Sequence, residues 1–167
     1  MSVLWRDKVL SSYNGNIESV VVYDAEGANQ VEAPNGVFIT LAGMEKNGRE
    51  LKKAVLAEDP TKEVLLISTP EVVYEGSTDL EDFVNEAGDV SRAFRLADGD
   101  VISLTEDLIT EPTTLAVNDT LIVGAGGKLV EAVDLEADTA IIKFVVREDA
   151  GKELTRKQDA WRCDIVR

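Results

Sequence analysis

Side chains that do chemistry in proteins are mostly histidine, cysteine and paired carboxylates, and this chain supplies them very unevenly. Its 167 residues include no histidine and a single cysteine, Cys163. Without an imidazole there is no Ser-His or Cys-His dyad, no imidazole base and no His-ligated zinc or haem. One thiol excludes an intrachain disulfide framework and a thiolate metal cluster. Carboxylates are abundant, with 32 Asp and Glu. Glycoside hydrolysis needs two of them at a set separation in a cleft. No pair is singled out by its spacing, and aromatic residues, at 5%, are few for lining a sugar site. The sequence therefore yields no catalytic, cofactor-binding or metal-binding residue, and the expectation is a protein that is not an enzyme.

Two short motifs come close to ligand chemistry. Gly124-Ala-Gly-Gly-Lys128 invites comparison with a phosphate loop, which places Gly, four residues, Gly-Lys and then Ser or Thr to reach magnesium. Here Leu129 follows the lysine and Ile122 stands where the first glycine belongs, so the stretch reads as a glycine-rich hairpin turn between Leu121–Val123 and Lys128–Val130. Asp98-Gly-Asp100 begins like a calcium loop, but Ile102 occupies the third ligand position. It reads as an acidic turn ahead of a strand from Val101 to Leu104. The serine- and glycine-rich phosphate segments of small trimeric β-rich nucleotide hydrolases have no counterpart.

The elements around these motifs are mostly short β-branched runs framed by turn signals, which predicts a mainly β fold, a small β-barrel or β-sandwich. Expected strands include Ser19–Tyr23, Gly36–Gly43, Val64–Ser68, Val72–Tyr74, Ile141–Val146 and Ala160–Val166, the last with Trp161, Cys163 and Ile165 on one side. Asn47-Gly48 sits where a hairpin turn is expected, because both residues tolerate positive φ. Leu96–Leu104 can be laid over Leu115–Val123: Leu-Ala recurs and Asp100 aligns with Asp119. Each copy reads as a turn delivering the chain into a strand, with the aspartate where the strand begins. One short amphipathic helix is predicted. Thr78 caps it, Glu81 completes a capping box, Leu80, Phe83, Val84 and Ala87 form an apolar stripe, and Gly88 stops it.

The predicted organisation is a single β-rich domain over 31–167 preceded by an N-terminal arm over 1–30. Asp24–Pro34 reads as a loop or the join to that arm, and Glu148–Gln158 as a long hairpin connection. In so short an arm Trp5 has little local core to enter, so Leu4, Trp5 and Arg6 are candidate contacts to a neighbouring subunit. Met1–Lys8 lacks the apolar run of a signal peptide, and nothing approaches the roughly 18 apolar residues of a membrane span. The expectation is a soluble protein made in the cytoplasm.

Net charge is −15 and unevenly placed. Residues 1–70 carry 7 basic and 10 acidic groups, residues 71–138 carry 3 and 17, and residues 139–167 carry 7 and 5. Such a surface repels DNA and anionic lipid, so no direct nucleic-acid or membrane partner is expected. An acidic exterior with more neutral docking ends is one reading; a solvated face that keeps the protein soluble is the other.

The runs Leu66–Glu75, Asp82–Gly88 and Ser91–Glu106 resemble small head proteins of tailed bacteriophages of Gram-positive hosts. These are found beside the major capsid protein gene and are regarded as head decoration, or cement, proteins. The similarity lies chiefly in residues 64–110, with a weaker echo to residue 130. It implies a β-rich homo-oligomer, a trimer favoured, that binds the phage major capsid protein on the capsid exterior and stabilises the virion against internal DNA pressure. It carries over no catalytic residues. Two other readings stand beside it: a different phage structural subunit, of tail or connector, and an acidic binding protein that mimics DNA charge.

Overall fold

The computed structural model describes residues 4–8, 16–46, 50–71, 83–132 and 139–167. Among them eleven strands form two sheets over a shared core. The first sheet is a closed barrel of five strands: β2 (Ile17–Tyr23), β3 (Phe38–Met44), β4 (Leu51–Leu56), β5 (Leu65–Ile67) and β6 (Ser91–Phe94). Their order around the barrel is β2-β4-β3-β5-β6, with β6 pairing back onto β2. All neighbours are antiparallel except β2 and β4. Parallel neighbours need a crossover, which the chain makes through the loop after Tyr23 and through β3. Closure leaves the barrel without an open strand edge.

The second sheet has six strands in the order β1-β7-β11-β10-β8-β9: β1 (Leu4–Lys8), β7 (Val101–Thr105), β8 (Thr120–Val123), β9 (Leu129–Glu131), β10 (Lys143–Gly151) and β11 (Ala160–Val166). The mainly β expectation holds, and both halves of the sequence contribute to the same core. Phe38 of the barrel meets Phe144 of β10 edge to face, with ring centroids 4.9 Å apart. That contact is worth about 0.5–1.5 kcal/mol beyond area burial. β2 buries four consecutive residues, Val20 to Tyr23, and β7 buries all five. Strands covered on both faces read as continuous β-branched runs rather than alternating ones. On β11, Cys163 and Ile165 are buried and Trp161 packs against the same cluster, as the alternation predicts.

Several boundaries differ from the sequence reading. Within residues 1–30, β1 is an edge strand of the second sheet and β2 is a wall of the barrel, with Val20 at 0% exposure. β10 runs on to Gly151, through the start of the expected connection, with register shifts against β11 at Val146/Glu148 and Asp149/Gly151. At such shifts one strand carries an extra residue against its partner and bends. β3 and β4 pair antiparallel on either side of Asn47-Gly48, which itself lies outside the described residues, as does the expected strand Val72–Tyr74.

The predicted helix is corrected over its described part. Residues 78–82 lie outside that part, and from Phe83 to Gly88 the backbone is not helical. Asn85 instead forms an antiparallel bridge with Ala33, with N–H···O distances of 3.0 and 3.1 Å in the two directions. Its buried side-chain amide donates to Ala33 O at 2.8 Å. Both the backbone and the side chain of Asn85 are thus committed to Ala33, 52 residues away, and this tertiary pairing takes the place of the helix's own hydrogen bonds. Gly88, at φ +93°, is the third residue of a tight turn rather than a helix stop. The helical turns among the described residues include short 3-10 segments at Glu106–Leu108, Pro112–Thr114 and Ala125–Gly127.

Candidate functional site

The candidate contact residues Leu4, Trp5 and Arg6 lie on β1, which ends the six-stranded sheet. Leu4 pairs with Leu104 and Trp5 with Ser103; the register breaks between Trp5 and Lys8, across Arg6. Leu4 is half-buried against the common core. A terminal strand bonded to one neighbour presents a second row of backbone N–H and C=O groups for pairing. Among the described residues β1 is thus both part of the fold and the end of its open sheet, with Leu4, Trp5 and Arg6 in succession along it.

The residues that sequence inspection flags for ligand chemistry are engaged in turns. Asp100 Oδ2 accepts from Ala97 N–H at 2.8 Å, and Asp119 Oδ2 accepts from Ala116 N–H at 2.7 Å. In both, the aspartate's own N–H donates back to the alanine carbonyl at 3.1 Å. The residue before each aspartate has positive φ, Gly99 at +82° and Asn118 at +81°. The internal similarity is therefore one turn used twice, each leading into a strand. A third copy went unread: Asp89 Oδ2 accepts from Glu86 N–H at 3.1 Å, Asp89 N–H donates to Glu86 O at 3.0 Å, and Gly88 holds φ +93°. It leads into β6. Its signal was the Gly-Asp pair shared with Gly99-Asp100.

Gly124–Lys128 is the hairpin between β8 and β9, as expected. It docks on the barrel: Gly127 N–H donates to Ala57 O at 2.8 Å. A Cβ on Gly127 would stand 2.2 Å from Phe38 O, and the residue sits at φ +69°. The sequence made this stretch a turn; its role as the contact between sheet and barrel needed the fold.

Charged groups gather where the end of β11 meets the barrel. Glu18 Oε1 lies 2.7 Å from Lys52 Nζ and 3.0 Å from Arg95 Nη2. Arg95 reaches on to Glu63 at 3.7 Å, and Glu63 also pairs with Arg167, whose Nη1 donates to Leu96 O at 3.0 Å. Burial tends to raise the Glu18 pKa, but hydrogen bonds from Lys52 and Arg95 prevail and hold it below the usual carboxylate range. At the other end of β2 the Tyr23 hydroxyl donates to Glu45 Oε2 at 2.7 Å, which raises the phenol's pKa and lowers that of Glu45. Lys53 stacks over the Tyr23 ring at 4.2 Å. Asp24 closes its loop by accepting from the backbone of Ala28 and both N–H groups of Asn29, which lower its pKa.

Two open grooves flank the barrel, one lined by Thr40, Val55, Leu56, Asp59 and Lys62, the other by Ile17, Glu18, Met44, Glu50 and Lys52. Neither encloses a nucleophile beside a base. Among the described residues no group of three His, Cys, Asp or Glu side chains is placed to hold a metal ion. Cys163 is buried, and desolvation, with Asp164 adding to it, pushes its thiol up to about 12. No helix among the described residues is long and apolar enough to cross a membrane. The chain matched no family model, no curated protein and no solved structure.

Proposed function

We propose that this chain is a capsid decoration protein: it binds the outer surface of a tailed-phage shell, through the major capsid protein, and reinforces that shell without transforming any molecule. The observation that carries the reading is the resemblance of residues 64–110 to small phage head proteins. That stretch contains β5, β6 and β7, the strands that close the barrel and continue into the second sheet, so the similarity falls on the framework of the molecule. The reading is supported further by the engagement of Asp100, Asp119 and the Gly124–Lys128 loop in structural turns. Cementing requires adhesive surface repeated by symmetry, where many modest contacts give retention that one weak contact cannot. Copies in trimers would multiply those contacts, with Leu4, Trp5 and Arg6 at the sheet edge as the first candidates for them.

The test is co-sedimentation of purified protein with preformed capsids that lack it, followed by heating of the decorated and bare shells. Binding at micromolar concentration and a raised disruption temperature are expected; absence of binding, or shells indifferent to its presence, would sink the proposal. The net charge of −14 over residues 71–138, from 3 basic and 17 acidic groups, favours one second reading, an acidic mimic of DNA charge. Capture of a basic nucleic-acid-binding protein that is lost at moderate salt would support that alternative instead.

A further inference from the structure

Asn-Gly is the dipeptide whose chemistry is least compatible with permanence, and of the three in this chain Asn35-Gly36 is the one that lies among the described residues. A glycine nitrogen following asparagine can attack the side-chain carbonyl carbon, since no Cβ hinders its approach. The N–Cγ bond forms, the Cγ–Nδ2 bond breaks, and the Gly36 amide proton leaves with Nδ2 as ammonia. Water then opens the resulting imide at either carbonyl, giving aspartate or isoaspartate. The reaction needs solvent water and no other partner.

The fold holds every atom of this reaction in place. Asn35 is 3% exposed. Its Nδ2 donates to Thr69 O at 2.9 Å and to Glu71 Oε1 at 3.2 Å. Its Oδ1 accepts from Thr69 N–H at 2.9 Å and from Asn85 Nδ2 at 3.3 Å. The attacking nitrogen, Gly36 N, donates its proton to Ile67 O at 2.9 Å. Gly36 itself sits at φ +95°, with the position of a Cβ only 2.3 Å from Leu108 Cδ1. To react, the side chain must leave Thr69, the Gly36 N–H must leave Ile67, and water must reach a closed site. All three happen together only when the β5 end of the barrel opens.

The product does not fit the site that made it. An aspartate at position 35 has no N–H to give to Thr69 O, and it sets a second carboxylate against Glu71. An isoaspartate adds a backbone carbon where Gly36 is already in contact with Leu108. We infer that Asn35 is a latent deamidation site, gated by opening of the barrel, whose conversion prevents the opened molecule from closing again. Barrel opening is thereby made irreversible by a change of one side chain. The inference is independent of what the protein binds.

Peptide mapping by mass spectrometry tests it on the wild-type chain. Protein is aged at mildly alkaline pH in buffer and in urea, and the Asn35 peptide fragments are scored for deamidation and isoaspartate. Asn14-Gly15 and Asn47-Gly48 serve in urea as sequence controls of the same chemistry. Asn35 is expected to convert at least about a hundredfold more slowly in buffer than in urea, as local opening free energies dictate. A chain carrying Asn14→Gln and Asn47→Gln, so that Asn35-Gly36 is its one Asn-Gly pair, is expected after conversion in urea not to recover the unfolding midpoint of its unconverted form on dilution. Asn85→Ala, which removes one holder of Oδ1, should speed conversion in buffer. Equal rates in buffer and urea, or aged material that refolds with unchanged stability, would overturn the inference.

Discussion

Gly127→Ala isolates the contact between barrel and sheet. The substitution puts a methyl group 2.2 Å from Phe38 O and 3.1 Å from Phe38 N, backbone atoms that cannot swing aside. Phe38 O already accepts from Ala57 N–H at 3.0 Å, so it is fixed on its other side. Three costs combine: about 1–2 kcal/mol for an alanine at positive φ, about 1–3 kcal/mol for overpacking, and further loss if the loop retreats and leaves Ala57 O without its donor. The expected destabilisation is roughly 3–5 kcal/mol, or a fall in Tm of roughly 6–20 °C for a chain of this size. Gly126→Ala is the control, with the same φ of +69° and nothing within 4 Å of its Cβ. It should cost only the conformational part, about 1–2 kcal/mol. Urea unfolding of the two variants, read at equal m-values, measures the difference. If Gly127→Ala loses no more than Gly126→Ala, the hairpin is not pressed against the barrel and the shared core is misdescribed.

The remaining predictions concern groups whose roles the structure makes unequal. Asp119→Ala should cost about 1–2 kcal/mol and Asp100→Ala more, because Asp100 is at 0% exposure while Asp119 is half-buried, and the Ala97 amide that loses its acceptor is half-buried where that of Ala116 is exposed and can turn to water; thermal unfolding ranks them. Glu18→Gln should destabilise at neutral pH. Because the folded pKa of Glu18 lies below its ordinary 4.5, its contribution is present above that pH and is lost as the pH falls through the folded value, so wild type and variant should converge in acid. A gap that stays constant down to the lowest pH at which the fold survives would refute the Lys52–Glu18–Arg95 cluster. Cys163, with its thiol pushed up to about 12, should resist a thiol reagent at pH 8 in the native protein and react fully in denaturant.

What could be read before the fold was known follows from how local each signal is. β2 and β11 are legible because a run of β-branched residues, or an alternation ending in Cys163 and Ile165, records burial directly in residue type. The Gly124–Lys128 turn is legible because three glycines leave little else. The closed barrel is not, since closure depends on β6 reaching β2 across some seventy residues, Ser91 pairing with Val20. Nor is the placement of β1: Leu4-Trp5-Arg6-Asp7-Lys8 has too few apolar residues to show which strand it will join, and only the availability of β7 decides that.

The misread helix shows where a local signal divides. An apolar stripe followed by glycine fits a helix with its stop, and it fits equally a loop whose glycine supplies the positive φ of a turn. What separates them here is the next residue. At a helix stop nothing calls for an acid after the glycine, whereas in this chain Gly88-Asp89, Gly99-Asp100 and Asn118-Asp119 each put a carboxylate where it can accept the N–H three residues back. A side chain that does this fixes the direction in which the following strand leaves. All three turns feed strands, β6, β7 and β8, each paired on both sides: β6 seals the barrel, β7 lies between β1 and β11, and β8 between β10 and β9. The acidic excess of the middle segment is therefore partly architectural. Some of its carboxylates are there to start strands, and removing them to neutralise the surface would change the fold's stability before it changed any interaction with a partner.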